Sequence, residues 1–149
     1  MIKDVVITNL EKFHDNRGWL AEIFRNDQSE FRPAMGYVSQ TLPGVVRGPH
    51  EHQEQSDFFV FLFGTFRLYL WDNREGSANY RQLETYEVGE NNPAGVIIPP
   101  GVVHAYKCIS ENPGLVINLP NELYRGNNKA DAVDEIRWED DQSSPFVVE

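Results

Sequence analysis

The sequence predicts an all-β fold of the sandwich or closed-barrel type. Apolar and polar residues alternate with the two-residue period of a β-strand through most of the chain, and the period of an amphipathic helix is scarce. Clusters of Gly, Pro, Asn and Asp, which form turns, separate the alternating segments at short intervals. Many short strands at such spacing are typical of sandwiches and barrels. A chain of 149 residues has the size of one domain, so we expect residues 1–149 to share a single core.

Each strand is predicted from its own alternation. In the segment 64–71, Phe66, Leu68 and Leu70 fall on one face of the strand and Arg67 on the other. A short helix is predicted over residues 129–137, and the acidic segment 139–149 is expected at the surface or along a sheet edge. The strands predicted in chain order are 2–9, 19–25, 36–42, 45–52, 57–63, 64–71, 79–87, 95–98, 102–109 and 113–119.

Charge and cysteine content exclude several classes of partner. The chain has 23 acidic and 13 basic residues, a formal net charge of −10, and no cluster of Lys and Arg. We therefore expect it to bind neither nucleic acid nor an anionic membrane. Cys108 is the only cysteine, which excludes an internal disulfide and a thiolate zinc cluster. Neither a signal-peptide core nor a membrane-length apolar run is found, so we expect a cytoplasmic protein.

Three of the four histidines are placed so that they can converge. His50 and His52 lie one residue apart and therefore on the same face of a strand, and a second strand can bring His104 opposite them. Such a cluster serves either proton transfer or metal binding. For a metal, His50, His52, Asp57 and His104 together form a ligand set suited to Zn, Fe, Mn or Ni. The residue types alone leave both possibilities open.

Two segments around these histidines resemble the motifs of the cupin superfamily. The first runs from Gly48 through the His-x-His pair to Gly64, and the second runs from Gly95 to His104. The match is partial, since Asp57 replaces the usual Glu and Cys108 replaces an Asn. The resemblance implies a double-stranded β-helix, that is a jelly-roll barrel, with the histidines at its mouth.

A narrower resemblance covers nearly the whole chain. Residues 13–24 are similar to the F-x-D-x-R-G-x-F-x-E opening of the dTDP-4-dehydrorhamnose 3,5-epimerase family. The resemblance implies a homodimer in which the N-terminal strands, within residues 1–30, contribute to the interface, and a C-terminal segment 125–149 that packs near the barrel mouth. It also implies a cofactor-free isomerase. The later segments that carry the likeness are 38–40, 44–50, 71–77, 100–104 and 136–140.

The resemblance assigns catalytic roles to four residues. Enzymes of this family act on a nucleotide-linked 4-keto-6-deoxy sugar, whose ketone acidifies the neighbouring C–H bonds so that a side-chain base can remove a proton. His50 matches the family base, and Asp140 matches the carboxylate that orients it. His104 matches a histidine near the enolate oxygen. His52 makes the His-x-His pair similar to that of the related sugar 3,4-ketoisomerases, in which two bases on one face move a proton between adjacent carbons.

The resemblance also assigns residues to substrate binding. Arg17 and Arg47 match arginines that bind the diphosphate, for which the planar guanidinium is well suited. Glu22 matches a residue that contacts the nucleotide base. Gln40 matches an amide in the sugar pocket.

Two departures from the family pattern affect the chemistry. The family lysine corresponds to the stretch that ends at Asp57, so a cation is replaced by a carboxylate. The general-acid tyrosine corresponds to Asn118, which cannot return a proton to carbon; Tyr106 and Tyr124 are the candidate substitutes. Three hypotheses follow. The chain is a metal-free isomerase of a nucleotide-diphosphate sugar, a metal-binding cupin, or a sugar-nucleotide binder without activity.

Overall fold

The computed structural model describes residues 1–149 and is built almost entirely from antiparallel strands. The prediction of an all-β jelly-roll fold is confirmed. One five-stranded sheet has the order β1-β9-β6-β11-β4, the other has the order β12-β5-β10-β7-β8, and β2 and β3 form a separate hairpin. The strands are β1 Val6–Asn9, β2 Phe13–Asp15, β3 Gly18–Leu20, β4 Tyr37–Thr41, β5 Val46–Glu51, β6 Asp57–Phe63, β7 Thr65–Asp72, β8 Leu83–Gly89, β9 Ala94–Ile98, β10 Val102–Cys108, β11 Gly114–Asn118 and β12 Ile136–Arg137.

The main core lies between the two sheets. Phe66, Leu68 and Leu70 of β7 are fully buried there, as their alternation predicts. Tyr69 and Trp71 on the opposite face of β7 are buried as well, because the C-terminal segment covers them. Phe146 contacts the ring of Trp71 at a centroid distance of 5.7 Å, and the Tyr69 hydroxyl donates to the carbonyl of Glu149 at 2.7 Å. This segment is therefore part of the folded structure, although it is acidic.

The predicted helix over residues 129–137 is wrong. The chain forms only a 3₁₀ turn at Asn127–Lys129 and then runs extended into β12, which pairs with β5. Asp134 explains the outcome, because its carboxylate accepts the backbone N–H groups of residues 53–55 at 2.9 to 3.0 Å. These long-range bonds fix the segment against the barrel in place of local helical bonds. The predicted strand 19–25 is also shorter, since β3 ends at Leu20. No helix of the structure is long and apolar enough to cross a membrane.

A β-bulge in β5 determines which residue of β10 pairs with His50. His104 pairs with His50 and Tyr106 pairs with Arg47, so the register of β5 against β10 shifts between these pairs. Gly48 lies in the shifted stretch with φ of +91°, and a Cβ there would lie 2.6 Å from the carbonyl oxygen of His104. Only glycine satisfies both the positive φ and this close approach.

We expect Gly48→Ala to destabilise the protein more than Gly76→Ala does. Gly76 has a similar φ of +87° but open space around its Cα, so its substitution isolates the conformational cost of about 1 kcal/mol. The clash at Gly48 adds about 1–3 kcal/mol. Urea unfolding of both variants measures the difference. Equal losses of unfolding free energy would mean that the barrel absorbs the added methyl group.

Candidate active site

A cavity of about 770 Å³ opens at one end of the barrel. Residues from both sheets line it, since β5 and β10 belong to one sheet and β4 and β6 to the other. The segment after β11 forms its rim. The polar and aromatic lining residues that matter for chemistry are Tyr37, His50, His52, Asp57, His104, Tyr124 and Glu135.

His50 contacts two carboxylates. Its Nε2 lies 2.5 Å from Oε1 of Glu139, and its Nδ1 lies 3.6 Å from Oε1 of Glu135. The short contact requires that Nε2 donates its hydrogen to Glu139 when that carboxylate is ionised, which leaves the lone pair of a neutral ring on Nδ1. Glu135 lines the cavity and Glu139 does not, so Nδ1 is the nitrogen on the cavity side. The lone pair of a neutral His50 ring is thus on the side of the cavity.

The contact expected between Asp140 and His50 is made by Glu139 instead. The Asp140 carboxylate pairs with Arg137 at 3.2 Å, and its side chain is 70% exposed. The 3₁₀ turn at Trp138–Asp140 follows β12 directly, and this turn directs the first of the two acidic side chains toward His50. The motif locates the carboxylate partner of His50 to within one residue. It does not show which of the two adjacent carboxylates contacts the ring.

His52, Asp57 and His104 form a buried group beside His50. Nε2 of His52 lies 3.0 Å from Oδ2 of Asp57, and Nε2 of His104 lies 3.3 Å from the same oxygen. The Nδ1 atom of His52 donates to the backbone carbonyl of Asp134, and that of His104 donates to the carbonyl of Val102 at 3.2 Å. Both imidazoles thus direct Nε2 toward one carboxylate.

The charges of this group follow from burial and hydrogen bonding. Burial opposes protonation of His52, but the hydrogen bond and negative charge of Asp57 outweigh it and raise the pKa of His52 to about 9. Burial also opposes ionisation of Asp57, but the bond from His52 and the nearby imidazoles lower its pKa to about 2. Burial dominates for His104 and lowers its pKa to about 4. At neutral pH the group comprises a cation, an anion and a neutral ring.

The same three side chains are arranged as metal ligands. Their ligand atoms lie within 4.8 Å of one another. Each imidazole donates Nδ1–H to a backbone carbonyl, as metal-binding histidines commonly do. His50 does not join them, because its nitrogens face Glu135 and Glu139. The four-ligand set predicted for a metal-binding cupin is thus reduced to three.

Asn118 links this group to a tyrosine that sequence reasoning missed. Its buried side-chain Nδ2 donates to Oδ1 of Asp57 at 2.8 Å and to the hydroxyl of Tyr37 at 3.1 Å. Tyr37 lies in β4, directly opposite Asn118 in the register of β4 and β11. No linear motif marks Tyr37, since its place at the cavity depends on that strand pairing.

The two tyrosines suggested by the sequence lie elsewhere. Tyr106 is buried among the rings of Phe59, Phe61 and Phe66 and does not line the cavity. Tyr124 lines the outer part of the cavity and is more than half exposed.

The residues expected to bind the nucleotide do not line the cavity within this chain. The Arg17 side chain is 85% exposed and pairs with Asp15 of the β2–β3 hairpin. Glu22 pairs with Arg25 at 3.2 Å. Arg47 donates to the carbonyl of Gln40 at 2.7 Å, at the exposed edge of β4. One chain therefore provides the histidine cavity but leaves these four side chains outside it.

The jelly-roll barrel, with an imidazole held by a carboxylate at its mouth, places the chain among proteins with the cupin fold. The family model described as dTDP-4-dehydrorhamnose 3,5-epimerase matches residues 1–144. The chain belongs to the dTDP-4-dehydrorhamnose 3,5-epimerase family.

Individual relatives agree with this assignment. The probable low-salt glycan biosynthesis epimerase Agl13 of Haloferax volcanii is 41% identical over 83% of this chain and 81% of that protein. The spore coat polysaccharide biosynthesis protein SpsL of Bacillus subtilis is 33% identical over 95% of this chain and 93% of that protein. A dTDP sugar isomerase from Desulfovibrio desulfuricans has the same fold, with a TM-score of 0.85, 22% identity, and coverage of 98% of this chain and 91% of its own.

We expect the His52–Asp57 pair to make the free energy of unfolding decrease as the pH becomes alkaline. The pKa of His52 is raised from 6.5 to about 9 in the folded state, so its contribution is complete below pH 6.5 and is lost as the pH rises through about 9. Urea unfolding of the wild type from pH 6 to 10, with EDTA present, should reveal this decline. Asp57→Asn removes the anion and should flatten this decline, while lowering stability throughout. Parallel pH profiles for the two proteins would contradict the assignment.

Proposed function

We propose that the protein epimerises a nucleotide-linked 4-keto-6-deoxy sugar, with His50 as the base. The observation that carries the proposal is the contact of 2.5 Å between His50 and Glu139 at a cavity shared by the two sheets. A cavity of about 770 Å³ is of the size that holds a small organic ligand.

The reaction begins with proton transfer from carbon. Nδ1 of His50 takes the proton from the carbon next to the ketone, and the electron pair of the broken C–H bond moves to the ketone oxygen as an enolate. Glu139 stabilises the imidazolium that forms. His104 lines the cavity, but it has no free N–H for the enolate oxygen, because its Nδ1–H is donated to the Val102 carbonyl and its Nε2 faces Asp57. His52 is not placed as a second shuttling base, because its two nitrogens already bond Asp57 and the Asp134 carbonyl. This favours epimerisation over ketoisomerisation.

Deuterium exchange tests the role of His50. With dTDP-4-keto-6-deoxyglucose in deuterated water, the wild type should introduce deuterium at C3, C5 or both, as measured by mass spectrometry and NMR. His50→Ala should abolish incorporation. Absence of exchange in the wild type, with tight nucleotide binding, would instead support a binder without activity.

The two adjacent acids provide a matched pair of variants. Glu139→Gln should slow exchange by about 10²-fold, because an amide stabilises the imidazolium poorly. Asp140→Asn should have a much smaller effect, since the Asp140 side chain is 70% exposed and, unlike Glu139, does not contact His50. The reverse order of effects would restore the assignment to Asp140.

We further propose a homodimer that completes each site with residues of the partner. Arg17 and Glu22 lie outside the cavity of their own chain, and their N-terminal region carries the exposed apolar residues Phe13 and Leu20. Strand β4 is an open sheet edge on which Val38 is 62% exposed. An unpaired edge beside apolar surface suits pairing with a second copy. Arg17 would then reach the diphosphate bound in the site of the partner.

Complementation between two inactive variants tests this arrangement. Arg17→Ala and His50→Ala should each be inactive or severely impaired alone. After subunit exchange about half of the dimers are mixed, and one of the two sites in each mixed dimer has both residues, so about one quarter of the sites should recover activity. Recovery is measured by deuterium exchange after the mixed subunits have reached equilibrium. Analytical ultracentrifugation verifies that the protein is a dimer. No recovery despite exchange would place Arg17 in the site of its own chain or outside it.

A divalent metal site at His52, Asp57 and His104 is the second candidate function. It is favoured by one observation. With Nδ1–H donated to Val102, a neutral His104 presents a lone pair to Asp57 at 3.3 Å, an arrangement that a cation between the two atoms would stabilise. Elemental analysis of protein purified without added metal tests this candidate. A stoichiometric transition metal would show that the three side chains bind a metal ion and that His52 and Asp57 do not form an ion pair.

We also propose a cytoplasmic location without a nucleic-acid or membrane partner. The buried free thiol of Cys108 suits a reducing compartment. A net charge of −10 opposes association with polyanions.

A further inference from the structure

Epimerisation needs an acid on the side of the substrate opposite the base. If the proton returned from His50 itself, the original configuration would be restored. Resting on the function proposed above, we propose that Tyr37 is the catalytic residue that delivers the proton to the opposite face of the enolate.

Tyr37 lies in the right part of the cavity for this role. It belongs to β4, whereas His50 belongs to β5 in the other sheet, and both residues line the cavity. A sugar ring between the two sheets would therefore present one face to each residue. Among the other tyrosines, Tyr106 is enclosed by phenylalanine rings, and Tyr124 lies on the rim segment that follows β11.

The hydrogen bonds of Asn118 leave the proton of Tyr37 free. Oδ1 of Asn118 accepts the backbone N–H of Phe58 at 3.1 Å, which fixes the orientation of the amide. Its Nδ2 group therefore donates both to Asp57 and to the Tyr37 hydroxyl. Since an amide N–H group only donates, the Tyr37 oxygen is the acceptor, and the hydroxyl hydrogen remains available to a ligand in the cavity.

The surroundings of Tyr37 keep its hydroxyl protonated before the proton is transferred to the enolate. Burial raises the pKa of Tyr37 to about 12, while the bond from Asn118 acts in the opposite direction. The phenol thus carries its proton at neutral pH, and the amide stabilises the phenolate that is left after transfer. In the step itself the O–H bond of Tyr37 breaks and the enolate electron pair forms the new C–H bond. Tyr37 then regains a proton from water, and the His50 imidazolium releases one, so the reaction is balanced.

The test separates exchange from inversion. In deuterated water, Tyr37→Phe should reduce the formation of epimer by about 10²-fold or more. His50 should still remove and return hydrogen on its own face, so recovered substrate of unchanged configuration should contain deuterium. NMR gives the configuration and mass spectrometry the label. Tyr80→Phe, an exposed tyrosine outside the cavity, is the matched control and should retain both activities.

Inversion at the wild-type rate in Tyr37→Phe, or its loss in Tyr124→Phe instead, would overturn the role of Tyr37 and leave His50 as the base. Parallel loss of exchange and inversion in Tyr37→Phe would also overturn it, because a structural defect lowers both. Absence of exchange in the wild type would overturn both proposals.

Discussion

The buried carboxylate of Asp57 is the interaction on which the rest of the site depends. It is only 1% exposed, yet it is ionised because His52, Asn118 and Gln55 all direct donors at it. Burying an unpaired charge would cost several kcal/mol, so these donors are not free to move. Asp57 thereby fixes His52, which directly follows β5, and Asn118 at the end of β11, and through Asn118 it fixes the hydroxyl of Tyr37.

This arrangement gives a physical account of the two departures from the family pattern. The missing lysine is replaced by a carboxylate that holds His52 as a cation, so positive charge is still present beside the cavity. The missing tyrosine is replaced by Asn118, which serves instead as a donor to a tyrosine on the neighbouring strand. The two positions are in direct contact, since Asn118 bonds Asp57 as well as Tyr37.

Sequence reasoning predicted the features that depend on local periodicity and motif order. The inward face of β7 at Phe66, Leu68 and Leu70 and the convergence of the three histidines follow from alternation. It could not predict features that depend on long-range pairing. The helix expected over residues 129–137 does not form, because the Asp134 carboxylate instead accepts backbone hydrogen bonds from the chain after β5. Tyr37 reaches the cavity only because β4 pairs with β11, and Glu139 replaces Asp140 because of the local turn.

The two carboxylates beside His50 come from the C-terminal segment. The imidazole belongs to the barrel, whereas Glu135 and Glu139 belong to a tail. The two-residue strand β12, the Asp134 bonds and the contact of Phe146 with Trp71 hold this tail to the barrel. Fraying of this tail would remove β12 and the acidic neighbours of the ring, while the other four strands of that sheet could stay paired. Detachment of the tail would therefore change the surroundings of the His50 ring before it unfolded the barrel.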